Sequence, residues 1–185
     1  MPSSRRTRRD FFDAAFGLLE ESGFPALTAS ALCDRLGVSR GSFYHHFDTF
    51  ESFVTEFLAD WETRYSRDLI TRAETVADLD RRLNYHVELA AELPHGAEAA
   101  LRAWGSVEPV VAAAQRRVDQ LRFNSLADLL RSHGIPKAEA EIYTTIALNT
   151  LIGLQITQRP IDAGSLAGLY SHLARLLNDL DRAVN

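Results

Sequence analysis

The sequence predicts an all-α chain of about nine helices, and three observations carry that prediction. Apolar residues recur at i, i+3, i+4 and i+7 in one segment after another. No segment keeps the strict alternation that marks a half-buried strand. The strong breakers fall between the periodic segments: Gly23, Gly37, Pro94, Gly105 with Pro109, Gly134 with Pro136, and Pro160.

The elements follow in order. Helix one, Arg6–Glu21, sets Phe12, Ala15, Phe16 and Leu19 on one face. A short helix then starts at Thr28 and runs to Arg35. Thr28 suits an N-cap, although Ala31 three residues on leaves no capping box. Gly37 suits the left-handed position that ends a helix and turns the chain. Ser39 caps a second short helix, Arg40–His46. Thr49–Ile70 follows, with Phe50, Phe53, Val54, Phe57, Trp61 and Tyr65 as an aromatic stripe whose plainest reading is core packing. Asp78–Leu93 ends at Pro94, and Glu98–Trp104 is a short helix. Pro109 opens a long helix to His133, and Ala138–Gln158 and Ala163–Asp181 close the chain.

Two short helices joined by a glycine turn form a helix-turn-helix, whose second helix fits the DNA major groove. Leu32, Val38, Phe43 and Phe47 supply its small core, which leaves Arg40, Ser42, Tyr44 and His45 for contact with DNA. Ser39 and the amides around it stand at a helix N-terminus, where the dipole favours a phosphate. Arg40 points to a base edge or to the backbone; an arginine forking to guanine is the commonest specific contact. His45 and His46 suit phosphate contact and packing. Adjacent helical residues diverge by about 100°, so the two cannot easily share a metal.

The quoted residues resemble the tetracycline-repressor (TetR) family of transcriptional regulators. The resemblance rests on Ala14-Ala15-Phe16, Gly23-Phe24, Leu32, Gly37-Val38-Ser39 and Gly41-Ser42-Phe43-Tyr44-His45-His46-Phe47. It is strongest over residues 5–58; beyond that the chain agrees in length and helical pattern. It implies a three-helix DNA-binding head over residues 1–48. It also implies a helical effector-binding and dimerisation body over residues 49–185. The implied DNA-contacting set is Arg5, Arg6, Thr28, Ser39, Arg40, Gly41, Ser42, Tyr44 and His45, with Tyr44 on the backbone. The family pattern after the recognition helix runs Phe-x-x-Lys-Glu, whereas this chain has Phe47-Asp48-Thr49-Phe50-Glu51. Phe50 cannot meet a phosphate and extends the aromatic stripe. The departure therefore removes one contact and predicts weaker affinity unless the N-terminal arginines compensate.

A net charge of −5 argues against nucleic acid until its distribution is read. In residues 1–48, Arg5, Arg6, Arg8, Arg9, Arg35 and Arg40 balance Asp10, Asp13, Glu20, Glu21, Asp34 and Asp48. The surplus acid lies in the body, and four of the arginines crowd the first nine residues, where they suit a phosphate-contacting arm. Cys33 is the single cysteine, so no internal disulfide forms, in keeping with a cytoplasmic location. The N-terminus has no apolar run before Asp10 and does not read as a signal peptide. Ile142–Ile156 is the longest largely apolar stretch. Thr144, Thr145, Asn149, Thr150 and Gln155 interrupt it, and it is too short to span a bilayer.

In the body, the resemblance implies an effector pocket. Its candidate lining is Trp61, Tyr65, Tyr85, His86, Leu89, Trp104, Phe123 and Asn149. Such a lining suits an apolar or aromatic ligand with one or two polar groups. No acid stands on an inward face, so a cationic ligand is not indicated. Ile142–Ile156 is apolar nearly all round and needs cover on every side. A second copy supplies it in a four-helix bundle, with Ile152, Ile156, Leu166, Leu169, Tyr170, Leu173 and Leu177 at the interface. Gly153 allows close helix approach there or is simply tolerated, at about 1 kcal/mol against alanine.

An enzyme is not expected. Gly164-Ser165-Leu166-Ala167-Gly168 is one residue off the Gly-x-Ser-x-Gly spacing and opens a leucine-striped helix, so it reads as a helix start. The six histidines lack ligand spacing. No metal and no cofactor are expected. The expected partners are double-stranded operator DNA, a small-molecule effector and a second copy, with no membrane. A dimeric helical module that does not bind DNA is the remaining alternative, supported only by Phe50 and the acidic body.

Overall fold

In a computed structural model the described residues are 6–157, 164, 166–172 and 175. They are helical throughout with no strand: α1 Arg8–Ser22, α2 Ala29–Leu36, α3 Arg40–His46, α4 Phe50–Glu62, α5 Asp68–Glu74, α6 Leu79–Ala91, α7 His95–Gly105, α8 Pro109–Ser132 and α9 Lys137–Thr157. Residues 166–172 are also helical. No helix among the described residues is long and apolar enough to cross a membrane.

The expected helix Thr49–Ile70 is interrupted. A π turn, Thr63–Arg67, separates α4 from α5. Nothing in its sequence, Thr-Arg-Tyr-Ser-Arg, breaks a helix, so local propensity could not announce it. The helix expected from Glu98 begins three residues earlier, at His95, directly after Pro94.

The chain divides into two compact units: Met1–Arg64 with Pro94–Arg117, and Tyr65–Leu93 with Val118–Asn185. The first is built from α1–α4, α7 and the start of α8. Each of its early helices is started by a side chain. Thr7 and Asp10 form a reciprocal capping box on α1, with the Thr7 amide donating to Asp10 Oδ2 at 2.6 Å. These hydrogen bonds hold the Asp10 carboxyl below its usual range. The Thr28 hydroxyl accepts from the Ala31 amide at 3.1 Å without a box, as expected. Thr49 and Ser52 cap α4 reciprocally.

Phenylalanines fill the centre of this unit. Phe11 meets Phe43 edge to face at 5.6 Å and Phe47 at 5.7 Å, while Phe53 lies 5.0 Å from Phe47. Phe11, Phe43, Phe47, Phe53 and Phe57 are essentially sealed from solvent. Such ring pairs add about 0.5–1.5 kcal/mol each beyond area burial. α7 packs on α1, with Ala97 and Leu101 fully buried. Phe24 stacks on Trp104 with the rings 4° from parallel at 6.2 Å.

The second unit is built from α5, α6, the rest of α8, α9 and residues 166–172. Leu93, Leu151 and Leu166 form its buried cluster, with Tyr65, Leu69, Ala90, Leu154 and Tyr170 packed against it.

Candidate nucleic-acid interface and body cavity

The turn between α2 and α3 is made by Gly37 at φ 66°, a left-handed conformation that a side chain resists. Ser39 then starts α3, its hydroxyl accepting from the Ser42 amide at 3.3 Å. Phe43 faces inward and is fully buried. That orientation leaves Arg40, Gly41, Tyr44 and His45 exposed on α3 and Ser42 half-buried, with the Tyr44 side chain 47% exposed. Tyr44 does not dangle: its ring meets Phe43 edge to face at 5.2 Å, which fixes the direction of the phenol.

Arginines frame this element. Arg6 donates through Nη2 to the Leu36 carbonyl at 3.2 Å, placing a cation at the C-terminus of α2. Arg8 donates to the His46 carbonyl at 2.7 Å, pairs with Glu56, and lies over the Phe47 ring at 5.3 Å. It therefore braces the end of α3 against α4. Arg35 forms a two-pronged bond to Glu21 at 2.7 and 2.6 Å. Gly17 makes room for it: a Cβ there would come 2.5 Å from Arg35 Nη2. Arg9 and Arg40 are exposed. Arg5 lies outside the described residues.

The second unit holds a half-open cavity of about 480 Å³, within the usual range for ligand pockets. Leucines and valine dominate its wall, joined by Tyr65, Tyr143, Tyr170, His86, Ser66 and Arg122. His86 donates from Nδ1 to the Arg82 carbonyl at 3.0 Å, and its Nε2 faces Ser125 Oγ at 3.2 Å. A carbonyl only accepts, so Nδ1 carries the proton and Nε2 accepts from the serine in the neutral ring. Burial pushes the His86 imidazole below its ordinary range, which keeps the ring neutral. The Tyr170 hydroxyl donates to the Ala147 carbonyl at 3.1 Å, and burial pushes the phenol up to about 12.

Residues 11–56 match the model of the bacterial regulatory proteins of the tetR family. The head of this chain is thus of the TetR type. It is 35% identical to the HTH-type transcriptional repressor KstR2 of Rhodococcus jostii (strain RHA1) over 101 residues, 52% of this chain and 48% of that one. The matched part thus spans about half the length of that curated relative. A transcriptional regulator from Rhodococcus sp. Rha1 shares the fold with a TM-score of 0.76 at 22% identity, over 94% of this chain and 97% of that one. A regulator from Saccharomonospora viridis, crystallised with choline, does so with a TM-score of 0.74 at 18% identity, over 92% and 95%.

Of the eight residues anticipated around the pocket, the cavity takes in Tyr65, His86 and Leu89. The other five are elsewhere. Trp61 is buried in the first unit, where its indole donates to Glu98 Oε1 at 3.2 Å. Trp104 is stacked on Phe24 in that same unit. The Tyr85 hydroxyl accepts from Arg72 at 3.1 Å. Phe123 is half-buried outside the lining, and Asn149 is exposed. Four of the five are aromatic, and in the fold Trp61, Trp104 and Tyr85 serve packing and hydrogen bonding. Ser66, Arg122, Tyr143 and Tyr170 were missed as lining residues. Tyr170 was read as interface, and Ser66 lies in the π turn that the sequence does not signal.

The anticipated interface residues also separate. Ile156 and Leu169 are exposed, and Ile152 is half-buried. Leu166 is fully buried within its own chain, and Tyr170 is held by that same cluster and by Ala147. Both are interior side chains rather than surface offered to a partner, because the helix that carries them lies over α9. Leu173 and Leu177 lie outside the described residues. Ile142 and Ile146, one helical turn apart on α9, are 56% and 45% exposed and extend the apolar surface that Ile156 marks. A Cβ at Gly153 would meet nothing within 4 Å in this chain.

Proposed function

We propose that this chain is a homodimeric repressor. It binds a palindromic operator through α3 of each copy and is released by a small, largely apolar or aromatic effector held in the body cavity. The observation that carries the reading is α3 itself. Its inward Phe43 is locked in an aromatic core while Arg40, Tyr44 and His45 stand in solvent along a capped helix. A surface of that kind satisfies the geometry of major-groove reading. The division of roles falls at residue 48, with DNA contact before it and effector binding and dimerisation after it.

Two further observations support the assembly and the switch. The exposed Ile142, Ile146, Ile156 and Leu169 are large apolar side chains of a kind that a second copy covers. The chain runs from α3 through α4 and the π turn directly into Tyr65 and Ser66 of the cavity wall. A ligand can shift DNA binding only by its differential affinity for the two states, typically about 1–3 kcal/mol, and the operator must weaken ligand binding by the same factor. The test is selection of bound sequences from random duplex DNA, followed by a salt titration of the selected site. An inverted repeat with half-sites one turn apart (roughly 34–36 Å) or a multiple is expected. The slope of log affinity against log salt should be about −0.9 per phosphate neutralised. A flat salt dependence, or a selected site without two-fold symmetry, overturns the reading.

A further inference from the structure

The body cavity has a polar corner, and that corner narrows the ligand. It is built on the π turn. A π turn carries one residue more than the α-helical ladder accommodates, and such turns gather at functional sites. Within it the Tyr65 carbonyl accepts from Arg122 Nη2 at 2.9 Å, which fixes the guanidinium of α8 at the turn. The next residue, Ser66, is 1% exposed, and its hydroxyl is buried with no hydrogen-bond partner. A helical serine ordinarily returns its hydroxyl to the carbonyl four residues back. A buried serine that does not do so has an unmet hydrogen-bonding group, and such groups call for an explanation. Ser66 and Arg122 both belong to the cavity wall.

The remaining lining sets the sign of the field. His86 and Tyr170 are neutral for the reasons given above. Glu88 is the one carboxylate among the lining residues, and it is exposed, so water screens it. Arg122 keeps its charge whatever else it touches. Three tyrosines in the wall would by themselves suit a quaternary ammonium, but a guanidinium in the same wall opposes a cation. A hydroxyl and a guanidinium offered together match the planar, two-oxygen acceptor of a carboxylate. The apolar wall around Leu69, Leu89 and Leu151 accepts a hydrocarbon body.

We propose that the cavity binds an apolar carboxylic acid, its carboxylate at the Ser66–Arg122 corner and its hydrocarbon part along the leucine wall. The proposal builds on the effector reading of the cavity and names the ligand's class. Calorimetry with the full chain and three probes of one chain length tests it: decanoate, decanol and decyltrimethylammonium. Decanoate is expected to bind about tenfold or more tighter than decanol, and the ammonium weakest. Ser66→Ala should weaken decanoate by about tenfold. Arg122→Gln should bring decanoate down to the level of decanol while decanol itself is unchanged, a selective loss that misfolding cannot produce. Equal binding of decanoate and decanol, binding of none of the three, or a carboxylate preference that survives Arg122→Gln overturns the proposal. Operator gel shifts run with the same probes separate it from the effector reading. If all three release DNA equally, the effector reading stands and the carboxylate proposal falls. If decanoate binds selectively and DNA stays bound, the carboxylate proposal stands and the effector reading falls.

Discussion

The indole nitrogen of Trp61 donates to Glu98 at 3.2 Å, and both side chains are about 1% exposed. The bond ties α4 to α7 inside the first compact unit, far along the sequence from either helix's own neighbours. Trp61→Phe keeps most of the apolar volume but leaves a buried carboxylate without this donor. Unfolding in urea should show a loss of about 1–3 kcal/mol. Decanoate affinity should not change, since Trp61 is no part of the cavity wall; a large change would assign Trp61 a second role.

Tyr44 and Arg40 should separate in a binding assay. Tyr44→Ala is expected to weaken all duplexes alike, as loss of a backbone contact does. Arg40→Ala should relax preference at one base pair of each half-site by about 1–3 kcal/mol, if the guanidinium reads a base edge. Both side chains are exposed, so thermal stability should barely move in either variant. An Arg40→Ala protein with unaltered sequence preference would reassign Arg40 to the phosphates.

Phe50 is half-buried, its ring 6.4 Å from Phe43 and 5.6 Å from Phe53. Phe50→Lys should add a phosphate contact and steepen the salt slope by about 0.9. It should also cost about 1–3 kcal/mol of stability, from two lost ring contacts and lost burial. Binding no tighter at any salt concentration would mean that the head docks without using the start of α4.

Ile146→Glu places a charge on the exposed apolar surface of α9. The monomer should tolerate it, because the residue is solvent-exposed there. In a dimer that covers this surface the charge would be buried without a partner, at several kcal/mol. Sedimentation should show monomers, and operator binding should fall with the dimer. An intact dimer would place the interface on another surface.

His86 contributes a pH dependence. Burial holds its folded value below the ordinary 6.5, so near that pH the unfolded chain binds more protons than the folded one. Its stabilising contribution is complete above the unfolded value and is lost as pH falls through the window beneath it. Urea titrations from about pH 7 to about pH 5 should show falling stability, and His86→Gln should flatten that decline.

The head was legible because its signals are local. Gly37 is left-handed, Thr28 and Ser39 cap, and Phe43 faces inward, each as its residue type and spacing predict. The body was legible as helices but not as a pocket. Trp61 and Trp104 look like ligand contacts in sequence, yet their partners, Glu98 and Phe24, are 37 and 80 residues away. Only tertiary packing could decide between a ring that lines a cavity and a ring that fills a core. Leu166 was misread for a related reason: leucine periodicity marks a buried face without saying whether the same chain or a second copy buries it.

The first unit's discontinuity bears on how such genes can recombine. Its α1 is covered by α7, which the chain reaches only after passing through α5 and α6 of the other unit. A fusion that transplanted residues 1–64 alone would carry away Trp61 without Glu98 and Phe24 without Trp104. It would also leave Ala97 and Leu101 behind, and so uncover the face of α1 on which α7 packs. Specificity in this chain therefore cannot be exchanged by cutting and joining at the end of a reading head. It must drift by substitution on the exposed side of α3, where Arg40, Gly41 and His45 can change without disturbing the buried Phe43 that anchors the helix.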